Sequence, residues 1–540
     1  MPVSSAEPLQ PVHTGPSAAP EPVQLDAGSR ALLDLSLRHG VSDEEIAKVL
    51  GTAPDEVGRR RTEALEQVGR AYLRPSAPGL HPGPIGPRLA PADPKAAREW
   101  TSRGSRRDDP RPNAIDIVLR VLCAAYLALL LTGVVLFKAA FIEAFTVDPF
   151  LTAYGLVVCA YIVSRFGLSL LYRPAPDAKI EPRVAIVMPS FNEEAAIGHS
   201  LRSLLAVDYP GDKLEIVAVN DGSTDSTLAE MHAVAADCDR VRVIDFPENR
   251  GKRAAMAAGI AATSAEIVAF VDSDSTLEPD AVRRLVQGFA DPKVGAICGH
   301  ADVANPRESW LARMQAVRYF VAFKVVKAAE SVFGTVTCCS GCFSAYRREA
   351  ILPRLDWWAN QTFLGAPSTF GDDRSLTNCV MRDWKVRYES TAVSHTIVPA
   401  GFRQFMKQQL RWKRSWTRES LIVSSFMWKK NPAASIATYV GIALPLVAPI
   451  IAVRTTLWMP LMEGEGAPVV YLLGVYAMAV AYGLYYAARH SRYDTLWIYG
   501  VVFCFFYLAF LLWQTYWAML TSRSADWGTR PATAGMEEPA

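Results

Sequence analysis

Long apolar runs bracket a stretch of chain that has none, and this alternation constrains the fold more than any other feature. Two runs, about 115–142 and 150–172, are separated by the Asp148-Pro149 break. Three more, about 433–460, 467–488 and 495–520, close the chain. Each is near the ~20 residues that cross ~30 Å of hydrocarbon. Half of the 540 residues are hydrophobic, which argues against a disordered, collagen-like or disulfide-scaffold chain and against a purely soluble one. Lys+Arg 56 against Asp+Glu 54 leaves +2, a balance that names no nucleic-acid or acidic partner. The nine cysteines, mostly in apolar or strand-like runs, read as reduced thiols.

Flanking charges suggest an orientation. Arg103, Arg106, Arg107 and Arg111 precede the first run and Arg173 follows the second, which puts both outer ends in the cytoplasm. Arg489, His490 and Arg492 mark one later junction as cytoplasmic, and Arg523 and Arg530 mark the C-terminus so. Three simple crossings cannot satisfy both. Either the last stretch is bent or re-entrant, or an earlier run does not cross. Arg165, near the end of the second run, is expected to snorkel.

Residues 1–112 carry 16 of the 36 prolines. Residues 1–23 are expected to be disordered and 74–112 to be a Pro-rich linker. Between them 24–73 reads as three short helices in a helix-turn-helix-like module, with Ser42 capping one and Arg59–Arg61 in another. We expect a packing or docking role for it, and no DNA contact. Then come two transmembrane helices over 113–173, an α/β domain over 180–400, and amphipathic interfacial helices over 401–430. C-terminal membrane segments over 433–520 and a cytosolic tail over 521–540 complete the chain. In the 180–400 domain, Val184–Met188, Leu214–Val219, Val241–Ile244, Ile267–Val271 and Val294–Cys298 are short β-branched runs separated by helical stretches, the pattern of a mostly parallel sheet.

Three of these strands end in acidic turns: Ser190-Phe191-Asn192-Glu193-Glu194, Asn220-Asp221-Gly222-Ser223 and Asp272-Ser273-Asp274-Ser275. Capping would explain any one of them; three at one sheet edge form a nucleotide crevice. Asp272 and Asp274 are hard oxygen ligands suited to Mg²⁺ or Mn²⁺ on a diphosphate. Gly371-Asp372-Asp373-Arg374 offers a general base, and one base suffices for a single inverting displacement at a sugar C1. In Gln408-Gln409-Leu410-Arg411-Trp412, Arg411 can hold phosphate and Trp412 can stack on a sugar ring. His300 and His395 show no partner pattern and are expected to be structural. Cys338-Cys339 with Cys342 makes a CxxC with no second ligand pair.

The order PSFNEE, NDGST, DSDS, GDDR, QQLRW resembles the processive β-glycosyltransferases of glycosyltransferase family 2, in particular the bacterial class I hyaluronan synthases. Asn360–Gly365, Gly371–Asn378, Lys407-Gln408-Gln409, Arg418-Glu419-Ser420 and Trp527-Gly528-Thr529-Arg530 carry the likeness further. It runs from about 180 to 425. The resemblance implies a GT-A-type α/β cytosolic domain inserted between transmembrane α-helices in the cell membrane, and an inverting, metal-dependent reaction. It implies that Phe191, Glu193, Asp221 and Lys252 bind the nucleotide, with Asp221 on the uracil. Asp272 and Asp274 would face the diphosphate and metal, Asp373 would be the base, and Gln408, Arg411 and Trp412 would serve the acceptor and diphosphate. The Trp527 tail would gate the site. UDP-GlcNAc and UDP-GlcA would be the donors and a growing polysaccharide the acceptor, extruded through the membrane helices. One departure is Ser340-Gly341-Cys342 where the family usually has Ser-Gly-Pro; Cys339 matches a family position lining the site. The alternatives are a chitin-oligosaccharide synthase using UDP-GlcNAc alone and, from another class, a membrane-tethered regulator that only senses a nucleotide sugar.

Overall fold

In a computed structural model of the chain, residues 149–464, 468–489 and 496–524 are described, with isolated helical positions between 56 and 63 and between 118 and 129. Most of the N-terminal module and of the first apolar run, the Pro-rich linker and the Trp527 tail lie outside the described residues.

The sheet domain is built on β1 (Val184–Ser190), β2 (Leu214–Asn220), β3 (Val241–Asp245), β4 (Ile267–Phe270), β5 (Ser275–Leu277), β6 (Val294–Val303), β7 (Ser344–Arg347), a small hairpin β8 (Thr362–Phe363) and β9 (Ala366–Pro367), and β10 (Lys385–Thr396). Eight strands form one sheet in the order β3-β2-β1-β4-β7-β6-β10-β5. Strands β1 to β4 pair in parallel, as the apolar runs predict. The second half is mixed: β7 inserts antiparallel between β4 and β6, and β6 is parallel only to β10. The sequence pattern missed β7 because four residues, Ser344–Arg347, are too short a run to show a period.

Both faces of the sheet are covered, so every residue of β1 is buried. Alternation divides the core: Ile186 and Met188 pack with Leu201, Leu204 and Met231 on one face. Val187, Val217 and Phe270 meet Ala255, Ile260 and the buried Trp358 on the other. The second face also takes in Val423, Phe426 and Met427, from the end of the helix Phe402–Met427. The expected interfacial helices over 401–430 are thus this one 26-residue helix.

Two described helices are long and apolar enough to cross a membrane, Pro149–Leu171 and Pro432–Glu463. The first begins at Pro149, where a missing N–H costs nothing. The last apolar stretch is bent by 44° between Trp497–Leu511 and Gln514–Leu520. The break has a physical cause. The Leu512 amide bonds the Tyr507 carbonyl at 2.8 Å, out of α-helical register. The Leu511 carbonyl is taken by Lys413 Nζ.

Arg165 departs from expectation. It does not snorkel but is 6% exposed, its guanidinium 5.2 Å from the Tyr161 ring. It lines a polar cavity of about 130 Å³ with Glu330, Asn378 and Glu419. The eight described cysteines are free thiols.

Candidate active site

The first three strand-end turns are stitched to one another by their polar side chains. Asn192 Oδ1 accepts the Thr224 amide at 2.9 Å, and Thr227 Oγ1 accepts the Glu193 amide at 2.7 Å. Asp221, 1% exposed, accepts the Arg250 and Gly251 amides at 2.8 and 3.2 Å, so it fixes the loop that presents Lys252. Asp221 lies outside the lining of the cavity described next.

That cavity, of about 750 Å³, is where the motifs converge. The turn after β1 contributes Phe191 and Glu193, and the turn after β4 contributes Asp272 and Asp274. Lys252 and Asp373 stand at the starts of their helices, and Gln408, Arg411 and Trp412 come from the helix Phe402–Met427. The far wall is supplied by the apolar helix Pro432–Glu463 and the bent C-terminal pair, through Pro445, Tyr507, Leu511 and Thr515. Residues up to 326 apart in sequence (189 to 515) thereby share one chamber.

The electrostatics fit a polyanion with a cation. Lys252 Nζ lies 2.5 Å from Asp272 Oδ1. Burial works against the Lys252 charge, but Asp272 outweighs it and holds the ammonium above its ordinary value. Asp274 is pushed up to about 6, first by burial and then by the charge of Asp272. Gly341 leaves room for this pair, since a Cβ there would lie 2.8 Å from Asp272 Oδ2 and the carboxylate would have to shift.

Behind Asp373 sits a buried polar network. Gly371, at φ 79°, opens the helix Asp372–Met381. Asp372 is paired with Arg253 at 2.8 Å, both side chains at most 5% exposed. Arg253 also donates to Gln361 Oε1 at 2.8 Å and to the Trp358 carbonyl at 2.9 Å. Gln361 then donates to Glu419 Oε1 at 3.1 Å, and Asn378 donates to Glu419 Oε2 at 3.0 Å. The motifs around Gln361, Asp372 and Glu419 therefore meet in one hydrogen-bonded network directly before Asp373.

Sequence reasoning missed Arg318, Tyr319, Lys327 and Lys413, which also line the cavity. Arg318 donates to Gln409 Oε1 at 2.7 Å and lies 5.3 Å from the Trp412 ring. The available signal was cations set among apolar neighbours, as in Ala322-Phe323-Lys324-Val325-Val326-Lys327. Cys339 does not line the site: it is fully buried, and Cys338 faces the cavity instead. His300 bonds the Tyr388 hydroxyl at 2.8 Å and His395 bonds Glu278 at 2.7 Å, both outside the cavity.

Residues 185–352 match the model of glycosyl transferase family 2. The chain is 33% identical to the hyaluronan synthase of Streptococcus pyogenes over 385 residues, 70% of this chain and 90% of that one. The chain belongs to glycosyltransferase family 2. This glycosyltransferase is also 34% identical to an N-acetylglucosaminyltransferase of Azorhizobium caulinodans over 66% of its own length and 89% of that protein's. Among solved structures, a mannosyltransferase of Pyrobaculum calidifontis in complex with GDP-Man and Mn²⁺ overlays with a TM-score of 0.44 at 24% identity, over 66% of this chain and 99% of that one. Membership of the family decides for an enzyme over a sensor. With its sheet domain flanked by helices of membrane-spanning length, the glycosyltransferase is a membrane-associated enzyme with a GT-A-type domain.

Proposed function

We propose that this glycosyltransferase polymerises UDP-GlcNAc and UDP-GlcA into hyaluronan, by inverting transfer on the cytoplasmic side, and passes the product between its own membrane helices. The observation that carries this reading is the single cavity that joins Asp373, the Asp272/Asp274 pair and the Arg411-Trp412 pair to walls of membrane helix. A chain elongated at Asp373 already stands at the mouth of the membrane segment. Asp373 takes the proton of the acceptor hydroxyl as its oxygen attacks the anomeric carbon, and the diphosphate departs toward Lys252 and Arg411. Trp412 offers its ring to the acceptor sugar. Phe191 and Glu193 serve the nucleoside end, and Asp221 supports them through the loop it fixes. The Trp527 tail would close over the donor.

Asp272 and Asp274 suit a hard divalent cation: two carboxylates at one strand end, with burial and the charge of Asp272 disfavouring the ionised form of Asp274, a cost that a bound cation would relieve. Among the described residues no three His, Cys, Asp or Glu side chains converge as a cage. That fits Mg²⁺ or Mn²⁺, which keep waters and take phosphate oxygens alongside one or two carboxylates. Such an ion would supply charge neutralisation of the leaving diphosphate.

The likeness to N-acetylglucosaminyltransferases, together with Cys342 in place of the usual proline, favours one second reading: a chitin-type product from UDP-GlcNAc alone. Purified protein in vesicles with Mg²⁺ or Mn²⁺, given each UDP-sugar singly and in pairs, separates the two. Polymer only with both donors, degraded by hyaluronidase, supports hyaluronan. Polymer from UDP-GlcNAc alone overturns it. Asp373→Asn should abolish synthesis in either case.

A further inference from the structure

We propose that Cys338 is a positioning residue for Asp373, its thiol holding one carboxylate oxygen so that the group meets the acceptor hydroxyl in a fixed orientation. The inference rests on Asp373 being the base. Asp373 stands in the first turn of its helix beside a cavity of about 750 Å³, where its side chain has room to rotate. Its Oδ1 accepts the Arg374 amide at 2.7 Å. Its Oδ2 accepts the Cys338 thiol at 3.6 Å.

Cys338 is itself held. Lys327 Nζ donates to its carbonyl at 2.6 Å and to Cys298 Sγ at 3.1 Å. The next amide, of Cys339, donates to Thr377 Oγ1 at 2.9 Å, and that hydroxyl donates to the Asp373 carbonyl at 2.6 Å. Residues 338 and 339 are thus tied to the same helical turn through side chain and main chain at once.

The choice of sulfur has a chemical consequence. A base must keep its affinity for a proton, and every donor to its charged form reduces that affinity. A thiol is a weak donor, so it steadies the carboxylate at small cost in basicity. Burial, and after it the charge of Asp373, push the Cys338 thiol up to about 12, so it keeps its proton and remains a donor at working pH.

The test compares wild-type protein with Cys338→Ala and Cys338→Ser, full length in vesicles, reading kcat, donor KM and the pH profile of kcat, with UDP binding by calorimetry as the check on folding. For Cys338→Ala we expect kcat to fall about five- to tenfold at unchanged KM, the worth of one ordinary hydrogen bond, as befits a weak donor. The acid limb should move to higher pH, because the ionised carboxylate has lost a donor. Cys338→Ser should recover kcat in part and place the limb at or below its wild-type position, since a hydroxyl is the stronger donor. An Ala variant with kcat within about twofold of wild type and an unmoved acid limb overturns the proposal. Should the Ala variant not bind UDP, the Ser variant decides alone: an acid limb above wild type overturns it. Failure of the underlying reading shows separately, as synthesis surviving in Asp373→Asn.

Discussion

Arg253→Met tests the scaffold behind Asp373. Arg253 and Asp372 form a buried pair at 2.8 Å, with side chains 5% and 4% exposed. Removing the guanidinium leaves the Asp372 carboxylate buried without its counter-charge, a loss of ~3–5 kcal/mol. The other broken contacts add less. Gln361 Oε1 still accepts the Ser375 hydroxyl at 2.7 Å, and the Trp358 carbonyl still accepts the Gln361 amide at 3.4 Å. Against a typical total of ~5–15 kcal/mol the variant should fold, with its midpoint lowered by roughly 6–20 °C. Synthesis should fall with it, because Asp372 directly precedes the base. The double variant Arg253→Met/Asp372→Asn should recover most of the lost stability, since no buried charge is then stranded. Thermal unfolding in detergent across the double-mutant cycle measures this. A single variant that loses less than ~1 kcal/mol, or a double no more stable than the single, refutes the account.

Other perturbations read other parts. Gly371→Ala would force a left-handed residue at φ 79° and set a Cβ 2.7 Å from Ser415 Cβ; sugar incorporation should collapse, with partial recovery when Ser415→Gly is added. Gly341→Ala would press on Asp272 from 2.8 Å, so UDP affinity in the presence of Mn²⁺ should drop roughly tenfold while the unfolding midpoint stays put. Burial, and then the Arg318 charge, lower Lys413 to about 8. Between there and its unfolded value of ~10.4 the unfolded chain binds more protons, so the wild type should gain stability as pH rises through that window. Lys413→Met should be flat over the same range in pH-dependent melting.

Much of the candidate site was legible because it is local. Asp272 and Asp274 are two residues apart on one strand end, and Asp373 lies within a four-residue motif. The first four strands announced themselves as β-branched runs. The remainder depended on contacts far apart in sequence. Nothing around Arg253 indicates Asp372, 119 residues on, and nothing around Cys338 indicates Asp373 across the fold. Asp221 is legible as part of an acidic strand-end turn; its burial, and the two amides it receives, are facts of folding that the sequence does not show. Likewise Arg165 reads as a snorkelling residue until the neighbouring helices close around it, because hydropathy registers depth in a bilayer and not direction.

Pro445, Tyr507, Leu511 and Thr515 close the cavity from the membrane side, and Lys413 pins the last bent helix at Leu511 and Thr515. The surrounding lipid thus acts on the reaction centre as a solvent acts on a solute. A bilayer thinner or thicker than the helices prefer changes their tilt. On the proposed function that tilt sets the spacing between a chamber wall and Asp373, and sugar incorporation is expected to vary with acyl-chain length. For the same reason a sheet domain excised before the helix Phe402–Met427 would lose its reaction vessel, and with it the part of its core that Val423, Phe426 and Met427 fill.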